Sequence, residues 1–127
     1  MDSKDIRDTI EKSIANHFMA SGQFQIRSAE AWYLKNGRFN ETQALDNAAE
    51  CVDLGLKKGY SGIRAAGDVA AIPASDRLDF YDYEEKVDSL IKEAPLIALC
   101  AYPILDCTLR ETKMVIECHD DVLMGQL

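Results

Sequence analysis

Gly59-Tyr60-Ser61-Gly62-Ile63-Arg64-Ala65-Ala66-Gly67-Asp68 decides the fold, because it reads as one strand with a tight start and a glycine-softened, charged exit. Ala65, Ala66 and Gly67 break strict alternation. This points to burial on both faces and to close approach of a helix or a ligand to the backbone. On its amino side, Asn40 followed by Gln43 has the form of a capping box. Leu45, Ala48, Ala49, Val52 and Leu56 then keep helical spacing up to the stop at Gly59. On its carboxyl side, Ala70 to Ser75 reads as a linker. Phe80, Tyr83, Val87, Leu90 and Ile91 mark a second amphipathic helix, with most of its acid on the outer face.

Pro95 ends that helix, and Leu96-Ile97-Ala98-Leu99-Cys100-Ala101 is an apolar run of strand length, expected to be a second buried strand. Thr108 with Glu111 opens a helix through Met114, Val115 and Cys118, and Val122-Leu123-Met124 reads as a short last strand. Near the amino terminus, Ile6, Ile10, Ile14 and Phe18 recur every fourth position, the stripe of a helix of about four turns that Ser21-Gly22 stops. Gln23 to Ser28 alternates polar with apolar, as a strand at or near a sheet edge would. Ser28 is placed to cap a short helical turn through Ala31-Trp32-Tyr33-Leu34, which Asn36-Gly37 ends. This order predicts an α/β fold: a mainly parallel open sheet of about four strands with flanking helices, in a single domain over residues 1–127.

A chain of 127 residues with net charge −8 has room for one core and repels a phosphate backbone over most of its surface. Its densest basic pair, Lys57-Lys58, falls at a helix end where cations complement the dipole, so no nucleic-acid partner is expected. No apolar run approaches the ~20 residues of a membrane span, and Met1-Asp2-Ser3-Lys4-Asp5 lacks the form of a signal peptide. A cytoplasmic protein without a membrane partner is expected. Cys51, Cys100, Cys107 and Cys118 lack the spacing of a disulfide framework and are expected as free thiols.

Ligands of open parallel sheets bind beyond the carboxyl ends of the strands, which makes Arg64, Asp68, Cys100 and Tyr102 the candidate ligand-binding residues. Arg64 and Asp68 are four apart on one strand and share a side, where they pair with each other or with a bound polar group. Cys100, Cys107, Cys118, His17 and His119 offer sulfur and nitrogen, but no CxxC spacing joins them, and no metal or other cofactor is expected. Nothing positions a cysteine or serine against a histidine, and GxxxxGK[ST] does not occur, so nucleotide hydrolysis is not expected.

Gly22-Gln23-Phe24-Gln25-Ile26, Tyr33-Leu34, Gly37-Arg38-Phe39, Gly59 to Arg64 with Gly67-Asp68, Tyr83-Glu84, Ala98-Leu99-Cys100 with Tyr102, His119 and Gly125 occur in this order. In this the chain resembles the C-terminal portion of the methanogen/methylotroph sensory (MEDS) domain family, from about Gly22 onward. The resemblance implies a non-catalytic sensory module of archaeal and bacterial signalling proteins that binds a small molecule, a hydrocarbon derivative in the family's proposed role, and relays to a histidine kinase or transcription regulator. It also implies similarity to RecA-like ATPases, and the chain departs from the family in that the N-terminal half is absent and Met1 to Ala20 supplies only one helix. A sheet so truncated exposes an edge, which leads to the expectation of a homodimer. The rival readings are a nucleotide-binding RecA-like remnant and a structural oligomerisation module.

Overall fold

The computed structural model describes residues 4–5 and 16–123. The amphipathic helix expected over Ile6 to Phe18 therefore lies mostly outside the described residues, and Phe18 falls in α1, Asn16–Ala20. Gly22 follows with φ 78°, donating to the Met19 carbonyl at 3.1 Å. The strand expected over Gln23 to Ser28 is not one. Gln25 instead bonds locally, its Nε2 donating to the Gly22 carbonyl at 3.0 Å and its Oε1 accepting from Arg27 at 2.8 and 3.1 Å. Such local pairs offer the backbone an alternative to a ladder, and alternation alone does not supply the neighbouring strand a ladder needs.

Ser28 caps α2, Ala29–Tyr33, its Oγ accepting from the Ala31 amide at 3.3 Å. Then comes a feature the sequence reading took only as a helix stop. Asn36 and Gly37, with φ 53° and 74°, form the two-residue turn of a hairpin between β1, Leu34–Lys35, and β2, Arg38–Phe39. Both central residues need left-handed backbone in such a turn, which is why Asn-Gly suits it. Asn40 then caps α3, Glu41–Lys57, accepting from the Gln43 amide at 2.8 Å. The Gln43 side chain donates to the carbonyls of Ala31 and Leu34, both at 3.0 Å, so the cap also fastens α3 to the end of α2.

The stretch that opened the analysis forms β3, Ile63–Asp68, and the apolar run after Pro95 forms β4, Leu96–Ala101. They pair in parallel, from Ile63 opposite Leu96 to Asp68 opposite Ala101. Between them lies α4, Arg77–Ile91, and after β4 comes α5, Leu109–Glu117. The capping box at Thr108 and Glu111 is present, with reciprocal bonds of 3.1 and 2.6 Å. Val122 and Leu123 are irregular, and Met124 lies outside the described residues. The described protein thus has a parallel sheet of two strands and a separate antiparallel pair, not one sheet of about four.

That difference overturns the expected burial of β3 and β4 on both faces. Ala66 is exposed on one face of the sheet, beside Ile97 and Leu99 at 65% and 62% exposure. The other face turns Ile63, Gly67, Leu96 and Cys100 toward the helices. The small residues do admit a close neighbour, but it is the chain's own Tyr33: a Cβ on Gly67 would stand 2.7 Å from the Tyr33 hydroxyl.

The core gathers on α4. Phe80, 0% exposed, meets Tyr33 and Phe39 edge-on at 5.6 and 5.4 Å and Tyr83 at 5.5 Å, while Ala44, Val69 and Ile72 complete the cluster. Such aromatic pairs contribute beyond their buried area because ring edges meet ring faces. The hairpin is held to the start of α4 by Asp76, whose carboxylate is 2% exposed. It accepts from Arg38 Nε at 2.9 and 3.0 Å, from the Arg38 Nη2, and from the Phe39 amide at 3.0 Å. The Arg38 guanidinium and, next, the Phe39 amide hold the Asp76 carboxyl below its ordinary range.

Phe80→Ala is expected to lower unfolding free energy by about 3 to 5 kcal/mol, whereas Ala66→Leu on the exposed sheet face changes it by less than about 0.5 kcal/mol. Urea midpoints of the two variants check this. Because Asp76 is depressed in the fold, its contribution is present above the ordinary aspartate range and lost as pH falls through its folded value. Asp76→Asn is therefore expected to flatten the acid side of the stability curve, read from thermal midpoints between about pH 6 and pH 2.

Candidate functional site

Helical spacing puts Phe80, Tyr83, Glu84 and Val87 on one stripe of α4, so the face that inserts two aromatic rings into the core also inserts a carboxylate. Glu84 is 6% exposed. The groups around it come from two other places in the chain. Cys100, near the end of β4, sets its Sγ 3.6 Å from each carboxylate oxygen. His119, just beyond α5, brings its Nε2 to 3.3 Å from Glu84 Oε2. Tyr102 packs edge-on to that imidazole at 5.6 Å between ring centres, with its hydroxyl 3.5 Å from Nε2.

One contact sets the state of the imidazole. His119 Nδ1 lies 2.7 Å from the Val115 carbonyl oxygen, which can only accept, so Nδ1 carries a hydrogen. In the neutral ring Nε2 then presents its lone pair to Glu84 and Tyr102. Burial pushes the Glu84 carboxyl up, opposed chiefly by the His119 charge. Burial first, and the Glu84 charge second, raise the Cys100 thiol to about 12 and drive the Tyr102 phenol upward as well.

The four candidate residues from the sequence are divided by the sheet. Cys100 and Tyr102 join the Glu84 cluster. Arg64 and Asp68 project from the opposite, exposed face of β3, since Gly67 and Cys100 are paired on the inner one. Four residues along a strand span roughly 13 Å, so the two do not reach each other. Asp68 caps the tight turn Val69–Ala71 by accepting from the Ala70 amide at 3.0 Å, and Arg64 lines a cleft with Ser61, Gly62, Ala94 and Pro95 at the amino ends of the strands. Glu84 figured in the family resemblance but not among the site candidates, because most of the acid of α4 was assigned to its outer face. Its position four residues after Phe80 is the signal that places it inward.

A half-buried thiol raised this far reacts slowly. On exposure to iodoacetamide near pH 8, Cys100 is expected to be modified at least about tenfold more slowly than an ordinary free cysteine, as read by peptide mass mapping. Rapid modification of Cys100 would mean the thiol lies outside the cluster.

The profile of the MEDS family, the MEthanogen/methylotroph, DcmR Sensory domain, matches residues 1–120. The match takes in the opening segment that the sequence resemblance left out, so the likeness is not confined to a C-terminal portion beginning near Gly22. An apolar residue at every fourth position fits any amphipathic helix, and Ile6 to Phe18 for that reason carried no family signal of their own. Among curated proteins and among solved structures, none matches this chain. With the match covering most of its length, the chain belongs to the MEDS family of sensory domains.

Proposed function

We propose that this protein is a non-catalytic sensory domain that binds a small molecule, a hydrocarbon derivative, at the Glu84, Cys100, Tyr102 and His119 cluster and relays its occupancy to a kinase or transcription regulator. The observation that carries this reading is the cluster itself. A carboxylate, a thiol, a phenol and an imidazole converge at the carboxyl end of β4, the end where parallel sheets place their ligands. A few polar groups converging against an aromatic core suit a small, weakly polar molecule. Membership in a sensory family supports the role.

The relay surface in this reading is the exposed sheet face, and its occupant is a second copy of the chain. Arg64 and Asp68 stand at the two ends of that face with Ala66, Ile97 and Leu99 between them. A two-fold axis would set Arg64 of each copy against Asp68 of the other and cover the apolar centre, an arrangement complementary to itself. The RecA-like similarity implied by the family leaves nucleotide binding as the rival, although the chain has no phosphate-cradling GxxxxGK[ST] loop.

Amide and imidazole NMR shifts, followed while one- and two-carbon alcohols, thiols, amines and halides are added, test the site. Saturable shifts centred on Cys100, Tyr102 and His119 are expected with at least one class, and Tyr102→Phe should weaken that response. Shifts confined to residues elsewhere, or no saturable response from any class up to tens of millimolar, would overturn the reading. Magnesium-dependent saturable heat with ATP at micromolar concentration would favour the nucleotide rival.

A further inference from the structure

We propose that Glu84, Cys100 and His119 form a binding site for one divalent transition-metal ion, zinc by the character of the donors, with its fourth position beside Tyr102 left for a water or an exogenous ligand. One donor atom from each residue lies within 4.8 Å of the others. Two of the separations already match a tetrahedral site. With metal–nitrogen and metal–oxygen bonds near 2.0 Å and a metal–sulfur bond near 2.3 Å, the oxygen–nitrogen edge is roughly 3.3 Å and the oxygen–sulfur edge roughly 3.5 Å. Here Glu84 Oε2 stands 3.3 Å from His119 Nε2 and 3.6 Å from Cys100 Sγ.

The imidazole is also prepared for this role. The bond from Nδ1 to the Val115 carbonyl fixes the tautomer that leaves Nε2 free to coordinate, the outer-shell arrangement usual for metal-bound histidine. The donor set of one sulfur, one nitrogen and one oxygen disfavours calcium and magnesium, which take oxygen, and suits zinc. Charge balance favours it too. A dication bound by a carboxylate, a thiolate and a neutral imidazole gives a site with no net charge. Three protein donors with an open position describe a site that can still take a ligand, and the three arrive from α4, the end of β4 and the segment after α5.

The sequence reading passed over this set because it sought paired cysteines, whereas the donors here are single residues 16 and 19 positions apart. The inference concerns the same cluster as the sensory role but does not depend on any organic ligand being sensed.

Cobalt(II) titrated into the chelator-treated full chain provides the test. The expected result is one cobalt per chain, with a near-ultraviolet thiolate-to-cobalt band and the intense visible bands of four-coordinate cobalt, both displaced by zinc. Cys100→Ser should abolish the near-ultraviolet band and His119→Ala should weaken binding at least about tenfold, while Cys107→Ser, outside the cluster, leaves both unchanged. Circular dichroism establishes that each variant is folded, and the near-isosteric Cys100→Ser remains informative if His119→Ala is not. No saturable cobalt spectrum, or a thiolate band that persists in Cys100→Ser, overturns the metal site and leaves the NMR test of the sensory reading untouched.

Discussion

A carboxylate carried into an aromatic core by the helix that builds that core is the constraint on which the rest of this structure depends. Phe80 and Tyr83 must face inward to close the core, and Glu84 on the same stripe goes with them. An unpaired buried carboxylate is costly, and removing the partner of a buried ion pair typically destabilises by about 3 to 5 kcal/mol. The fold answers by bringing His119, Cys100 and Tyr102 to that carboxylate from separate parts of the chain. What gives the cluster its chemistry is thus the same demand that ties α4 to β4 and to the end of α5.

The sheet, by contrast, contributes less to the core than its sequence suggests. Two strands in register present one face to the helices and leave Ile97 and Leu99 on the other, so most burial comes from α4 against α2, α3 and the hairpin. Asp76 and Arg38 make that assembly specific, because the carboxylate at the start of α4 is satisfied by the hairpin's guanidinium and backbone together. The two-stranded sheet thus lies between the buried cluster on its inner side and the exposed face of Ala66, Ile97 and Leu99 on its outer side.

Where local chemistry decides, the sequence is explicit. Asn40, Ser28 and the Thr108–Glu111 box cap the helices they were expected to cap, and the apolar run after Pro95 pairs in parallel with Ile63 to Asp68. Where neighbours decide, it is not. Among the described residues, Gln23 to Ser28 alternates like a strand but has no strand beside it, and Ala66 looks like a buried residue but is exposed. Asn36-Gly37 could be read as a helix stop or a hairpin turn, since left-handed backbone serves both. At the site, Cys100 and Tyr102 were legible from their place at a strand end. Glu84 needed its helical phase to be read against Phe80, and its pairing with His119 across 35 positions is tertiary information.

The convergence on Glu84 is tested most directly by a double-mutant cycle with His119, measured by urea unfolding of the chelator-treated protein near pH 7. Glu84→Gln, His119→Gln and the double variant complete the cycle. Residues in direct buried contact should show an interaction free energy of about 1 to 3 kcal/mol, so that the double variant loses less stability than the two single losses together. Additivity within about 0.3 kcal/mol would mean that the two side chains do not meet, and would contradict the placement of the site.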